Sequence, residues 1–158
     1  MKLASGTCPV DTLQKLGINV ALGTDGAASN NDLNMLGEMR SAAFLAKLTT
    51  QNPATLPTQN VLRMATLNGA KALGLDHIIG SLKVGKAADF IAINLDEIET
   101  VPTYHPDSHI INAASRHQVT DVWVAGKQLM KNRELLTLNE KEIKAKVKYW
   151  QDKIGVKG

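Results

Sequence analysis

Asp25 is the residue of this chain most readily given a chemical task. It follows the apolar run Gly17-Ile18-Asn19-Val20-Ala21-Leu22-Gly23-Thr24 and precedes Gly26. A run of that composition, with no helix cap inside it, predicts a short strand buried on both faces, as in a parallel sheet. Working residues of α/β barrels project from the C-terminal ends of such strands, where a carboxylate can hold a metal or act as a base. Asp-Gly is also a common turn pair. The residues alone therefore leave a plain turn as the alternative.

The other reactive side chains carry weaker signals. His105 and His109 stand four apart, which on a helix would place both on one face. Pro106 directly after His105 disfavours helix there, and no glutamate lies between them as in His-Glu-x-x-His. Loop histidines are the simpler expectation, and His77 and His117 read as surface or packing residues. Cys8 has no visible base partner and reads as a small buried or incidental thiol. Ser29 lacks a Gly-x-Ser-x-Gly context. The glycines fit neither a P-loop nor a dinucleotide fingerprint.

These candidates must be positioned by 158 residues, 44% hydrophobic and 21% charged. That length suits about one domain and a substantial core. It is too short for a complete (β/α)8 barrel of about 250 residues. Net charge is only +3 and aromatics are 4%, which disfavours a nucleic-acid reader. No apolar run approaches the ~20 residues of a membrane span, and the first residues lack a secretory h-region. With one cysteine, a soluble cytoplasmic protein is expected.

Along the chain, the strand at 17–24 is followed by a helix. Asn30 or Asn31 is expected to cap it, and it runs to about Leu48 with Met35, Leu36, Met39, Ala42, Ala43 and Ala46 on one face. A second helix opens at Thr58 and stops at Gly74, with Val61, Leu62, Ala65 and Leu73 as its apolar positions. Asn68-Gly69 inside it is a turn signal. Residues 88–93 read as a buried strand. Residues 119–131 read as a hairpin turning at Gly126, and a loop with Pro102 and Pro106 lies between. Asn139 and Glu142 open a terminal helix whose seam, Ile143, Val147, Trp150 and Ile154, is expected to pack on the rest of the protein.

Several segments resemble one family. Gly23-Thr24-Asp25-Gly26-Ala27-Ala28-Ser29-Asn30-Asn31 is similar to the last barrel strand and loop of the amidohydrolase superfamily. The likeness is greatest to the branch of 5-methylthioadenosine/S-adenosylhomocysteine deaminases and triazine-type hydrolases. Ala65-Thr66-Leu67-Asn68-Gly69-Ala70 resembles the helix after the barrel. Gly80-Ser81-Leu82-Lys83-Val84-Gly85-Lys86-Ala87-Ala88-Asp89 resembles the return into a small β-sandwich, and Val122-Trp123-Val124-Ala125-Gly126-Lys127 its closing hairpin. Lys2-Leu3-Ala4-Ser5-Gly6 resembles a segment before the last strand.

The resemblance implies an α/β fold class, the C-terminal part of a (β/α)8 metal-dependent hydrolase barrel plus strands of a small composite β-sandwich. It implies a division into 1–76 (last β/α unit and following helices), 77–137 (sandwich segment) and 138–158 (terminal helix). It also implies one divalent metal, usually zinc, in the intact enzyme, and a nucleoside substrate. Asp25 would be metal ligand, proton acceptor and substrate contact at once. No His-x-His occurs in the sequence, and catalytic zinc takes three protein ligands. The expectation is therefore a fragment of a hydrolytic deaminase, inactive alone, with a bare barrel edge that favours self-association. Two alternatives stand beside it. One is a non-catalytic structural or interaction module. The other is an amidohydrolase acting on guanine, cytosine or a chlorotriazine.

Overall fold

In a computed structural model, residues 2–155 are described. The first half is helical: α1 (Val10–Lys15), α2 (Met35–Thr50), α3 (Thr58–Ala65) and α4 (Leu67–Ala72). The second half holds β1 (Phe90–Ile93), α5 (Pro106–Asn112), β2 (Val119–Val124), β3 (Lys127–Lys131) and β4 (Glu134–Leu135), and α6 (Glu140–Ile154) follows.

The core lies where α2, α3 and α5 meet. Leu36, Met39, Ala43 and Ala46 of α2 recur at helical spacing and are buried, as the pattern predicts. They pack with Leu56, Val61, Met64 and Ile111. Burying one such Val or Met side chain stabilises by roughly 1.5–3 kcal/mol, so these residues fix the mutual position of the three helices.

The start of α2 differs from expectation. Neither Asn30 nor Asn31 caps it. Asn34 does, its side chain accepting from the Gly37 N–H at 3.2 Å. Asn30 instead donates to Glu38, so residues 26–34 form a longer loop than the cap preference alone suggests.

The second helix is two. Thr66 leaves helical geometry at φ −130°, ψ −94°, and α4 starts at the next residue, Leu67. Leu73, expected on the apolar face, is exposed. Gly74, at φ +69°, ends α4 as expected; the Leu75 N–H reaches back to the Ala70 carbonyl at 2.8 Å, a reversal that suits glycine.

The β part is one antiparallel sheet in the order β1-β2-β3-β4. The hairpin turns at Ala125-Gly126, both at positive φ, the backbone a two-residue turn requires. Trp123 faces Phe90 across the ladder, and their rings stack at 4.5 Å. The strand read at 88–93 is not buried. It is the sheet's edge strand, with Phe90 and Ile91 exposed.

Pro106 does not prevent a helix. It begins α5, with His105 as the residue before it. Proline is well accepted at that first position because its missing N–H is unpaired there anyway. His109 is thus helical and not in a loop. Ring nitrogen Nδ1 of His109 lies 3.1 Å from the His105 carbonyl.

The seam of α6 does not pack as expected. Ile143, Val147, Trp150 and Ile154 are all exposed. The helix is held by its own terms: Asn139 caps it, and Glu140–Lys144 and Glu142–Lys146 pair at i,i+4 spacing. No described helix is long and apolar enough to cross a membrane.

Candidate functional site

Residues 17–24 form no ladder. They run as an extended segment stitched to α3 and α4 by three bonds. The Leu22 N–H donates to the Met64 carbonyl at 3.0 Å. Asn68 donates from its side chain to the Val20 carbonyl at 2.9 Å, and its own carbonyl accepts from the Asn19 side chain at 3.0 Å. The residue read as a turn signal is therefore the clasp of the segment that ends in Asp25. Strand pairing needs neighbouring strands, and the described residues supply none beside 17–24, so the strand expected there does not form. Val20 and Leu22 still lean on the core, while Ile18 is half exposed.

Asp25 sits at the end of this segment, exposed, with φ +62°. A non-glycine residue in that region is uncommon and is held there by its surroundings. Both carboxylate oxygens are engaged. The Gly26 N–H donates to Oδ1 at 2.7 Å, and the Ser29 hydroxyl donates to Oδ2 at 2.5 Å. The Ser29 bond first, then the Gly26 bond, hold the carboxyl below its usual value of 3.8, with only slight opposition from desolvation. The turn reading and the chemical reading of Asp25 thus meet: the turn is what fixes the carboxylate.

Asp25 lines an open cleft of about 500 Å³ with Lys2, Ser5, Ser29, Asn30, Asp32 and Glu38. The other two acids are already engaged. Glu38 accepts from Asn30 at 2.6 Å, and Asp32 pairs with Arg116, tying the loop to the β part. The Lys2 ammonium bonds to Asn31 and, at 3.4 Å, to the Ala28 carbonyl. Among the described residues no basic side chain forms a salt bridge to Asp25.

The remaining candidates lie elsewhere. Cys8 is exposed rather than buried. His77 is exposed. His117 stands 3.5 Å from Glu97 and 3.0 Å from the Ser115 hydroxyl. His105 and His109 flank the start of α5. Among the described residues no three His, Cys, Asp or Glu side chains come together as a metal-binding group. Asp25 fits one position of a zinc centre, an ionised oxygen donor with acceptor capacity left on both oxygens. The chain's described residues do not supply the rest. The sequence context of Ser29 speaks against a nucleophile and does not by itself reveal its bond to Asp25. Its place four residues after an Asp-Gly, where a hydroxyl can close a local turn, was the available signal.

Known proteins match this chain in sequence and fold. The amidohydrolase family profile matches residues 1–129. The 5-methylthioadenosine/S-adenosylhomocysteine deaminase of Teredinibacter turnerae is 48% identical over 99% of this chain and 36% of its own length. The 5'-deoxyadenosine deaminase of Methanosarcina mazei is 46% identical over 90% of this chain and 33% of its own. The crystal structure of an adenosine deaminase from Xanthomonas campestris with bound zinc superposes with a TM-score of 0.94, at 49% identity, over 97% of this chain and 35% of that one. Atrazine chlorohydrolase from Arthrobacter aurescens TC1, complexed with zinc, follows at a TM-score of 0.84 and 31% identity, over 91% and 32%. The chain thus spans about a third of the length of the relatives it matches. The helices and antiparallel strands described above are the C-terminal part of a metal-dependent hydrolase barrel and its small sandwich, and the chain belongs to the amidohydrolase family.

Proposed function

We propose that this chain supplies the closing third of a hydrolytic deaminase, with Asp25 as one ligand of its divalent metal. The substrates would be nucleosides of the 5'-methylthioadenosine or S-adenosylhomocysteine type. The reaction cleaves the ring C–N bond to the amino group with water and releases ammonia. The observation that carries the reading is Asp25 itself. It is an ionised carboxylate at the end of a barrel-type segment, fixed through both oxygens by neutral donors, in a chain 48% identical along 99% of its length to a deaminase of that name. Identity to the triazine-type hydrolase is lower, at 31%, which ranks the nucleoside reading above the chlorotriazine one.

The metal, zinc in the structural neighbours named above, supplies Lewis-acid activation of water at neutral pH. This chain's own contribution is narrower. Asp25 presents a charged oxygen donor and can accept a proton on the same carboxylate. Gly26 and Ser29 orient it, and Asn68 holds the segment that delivers it. The corresponding division is a barrel end at 1–76, a sandwich segment at 77–137 and a terminal helix at 138–158, in a cytoplasmic enzyme. The half-exposed face of residues 17–24 would drive self-association of the chain on its own.

The test is ammonia release from 5'-methylthioadenosine. The 158-residue chain alone should give none. A fusion to the first two-thirds of the Teredinibacter turnerae relative should turn over, and Asp25→Ala in that fusion should abolish it. Near-normal turnover by Asp25→Ala, or stoichiometric tight zinc with turnover in the chain alone, would overturn the assignment.

A further inference from the structure

We propose that Ser29 is a positioning residue for the metal-ligating carboxylate. The proposal rests on the reading of Asp25 given above and adds the residue that sets its orientation. An exposed aspartate ordinarily samples several rotamers, so a metal that binds it must first order it, at an entropic cost. Here that ordering is built in. The Ser29 hydroxyl lies 2.5 Å from Oδ2, within the range of a charge-assisted O–H···O bond. The same oxygen also lies 3.0 Å from the Gly26 carbonyl. One hydroxyl proton serves one acceptor well, and the shorter bond to the charged partner takes it.

Ser29 is itself placed by the backbone. Its N–H and that of Asn30 both donate to the Gly26 carbonyl, at 3.1 and 2.9 Å. The turn that gives Asp25 its left-handed φ therefore also delivers the hydroxyl to the far carboxylate oxygen, while the Gly26 N–H takes the near one. Because both donors are neutral, the carboxylate keeps its full charge for a cation. A lysine or arginine in the same place would orient the carboxylate equally well and compete with the metal. Asp32, which shares the cleft, shows that alternative: Arg116 already neutralises it.

Partners of this kind typically change metal affinity by about 10–100-fold when removed. The experiment is zinc affinity by chelator competition in the Teredinibacter turnerae fusion, with the melting temperature of the zinc-stripped protein measured alongside. Ser29→Ala should weaken zinc by about 10–100-fold and leave the zinc-free melting temperature within a few degrees. Ser29→Thr, which keeps the hydroxyl, should bind like the parent. Ser29→Cys, a weaker donor of similar size, should fall between. Unchanged zinc affinity in Ser29→Ala would overturn the proposal. So would affinities that follow side-chain size rather than donor strength. Asp25→Ala in the same assay separates the two levels. If it also binds zinc as the parent does, the reading of Asp25 fails; if it loses zinc while Ser29→Ala does not, only the role of Ser29 fails.

Discussion

Replacing Gly80 by alanine should destabilise the protein through two separable effects. Gly80 lies at φ +84°, and a Cβ built on it would stand 2.6 Å from the Ala70 Cβ, 3.0 Å from the Leu67 Cα and 3.3 Å from the Thr66 carbonyl. Two of these contacts are backbone atoms at the break between α3 and α4, so no flexible side chain can swing away. The left-handed backbone alone costs an L-residue roughly 1–2 kcal/mol, and forcing extra volume into a packed site adds about 1–3 kcal/mol. Gly85 provides the control. It has a similar φ of +89° with nothing within 4 Å of the built Cβ, so Gly85→Ala carries the backbone cost without the overlap. At about 2–4 °C per kcal/mol for a chain of this size, Gly80→Ala should melt roughly 2–12 °C below Gly85→Ala. Thermal unfolding followed by circular dichroism reads the difference. Equal melting temperatures would refute the close packing of α4 against the Gly80 turn. They would also remove the support for the α3–α4 break that carries Asn68 to the segment before Asp25.

Asn34→Ala removes the cap of α2 and should cost about 1 kcal/mol, read as a lower midpoint in urea. Asn68→Ala cuts the side-chain bond to the Val20 carbonyl and leaves the backbone carbonyl that accepts from Asn19; amide exchange should accelerate at residues 18–24 and remain unchanged in the β2–β3 hairpin. Thr58 donates to Asp107 at 2.9 Å, and that bond first, then the Ser108 N–H, hold the Asp107 carboxyl below 3.8. The folded value is depressed, so the stabilisation is present above pH 3.8 and fades as pH falls through the lower folded value. Thr58→Val should therefore narrow the stability gap between pH 6 and pH 2, and an unchanged acid profile would count against the bond. Trp150→Ser, on the exposed face of α6, should leave the melting temperature of the chain within about 2 °C, since surface changes stay within about ±0.5 kcal/mol.

Much of the fold was legible where periodicity and burial agree. The face of α2 was readable because Leu36, Met39, Ala43 and Ala46 recur every three or four residues and all meet the core. The hairpin was readable because the Ala125-Gly126 turn is local chemistry. What escaped depends on neighbours distant in sequence. An apolar run such as 17–24 is a strand only if other strands flank it, and composition cannot supply them. Pro106 reads as a breaker or as a helix start according to which side of it the helix lies. The seam of α6 has helical spacing whether or not anything covers it. At the site, Asp25 was visible because strand-end carboxylates are few. The ties that hold its segment and loop in place were not, because Asn68 and Arg116 lie 43 and 91 residues from Asp25 and only folding brings them to residues 19, 20 and 32.

The ties around Asp25 have an evolutionary consequence. Its two direct partners, the Asn68 clasp and the Arg116 anchor of its loop all belong to this one stretch of chain. The carboxylate thus travels with its own jig. A crossover upstream of residue 2 could join these residues to a different set of preceding strands without disturbing the aim of Asp25. Recombination among relatives could then change what lies upstream while this acidic oxygen stayed where it is.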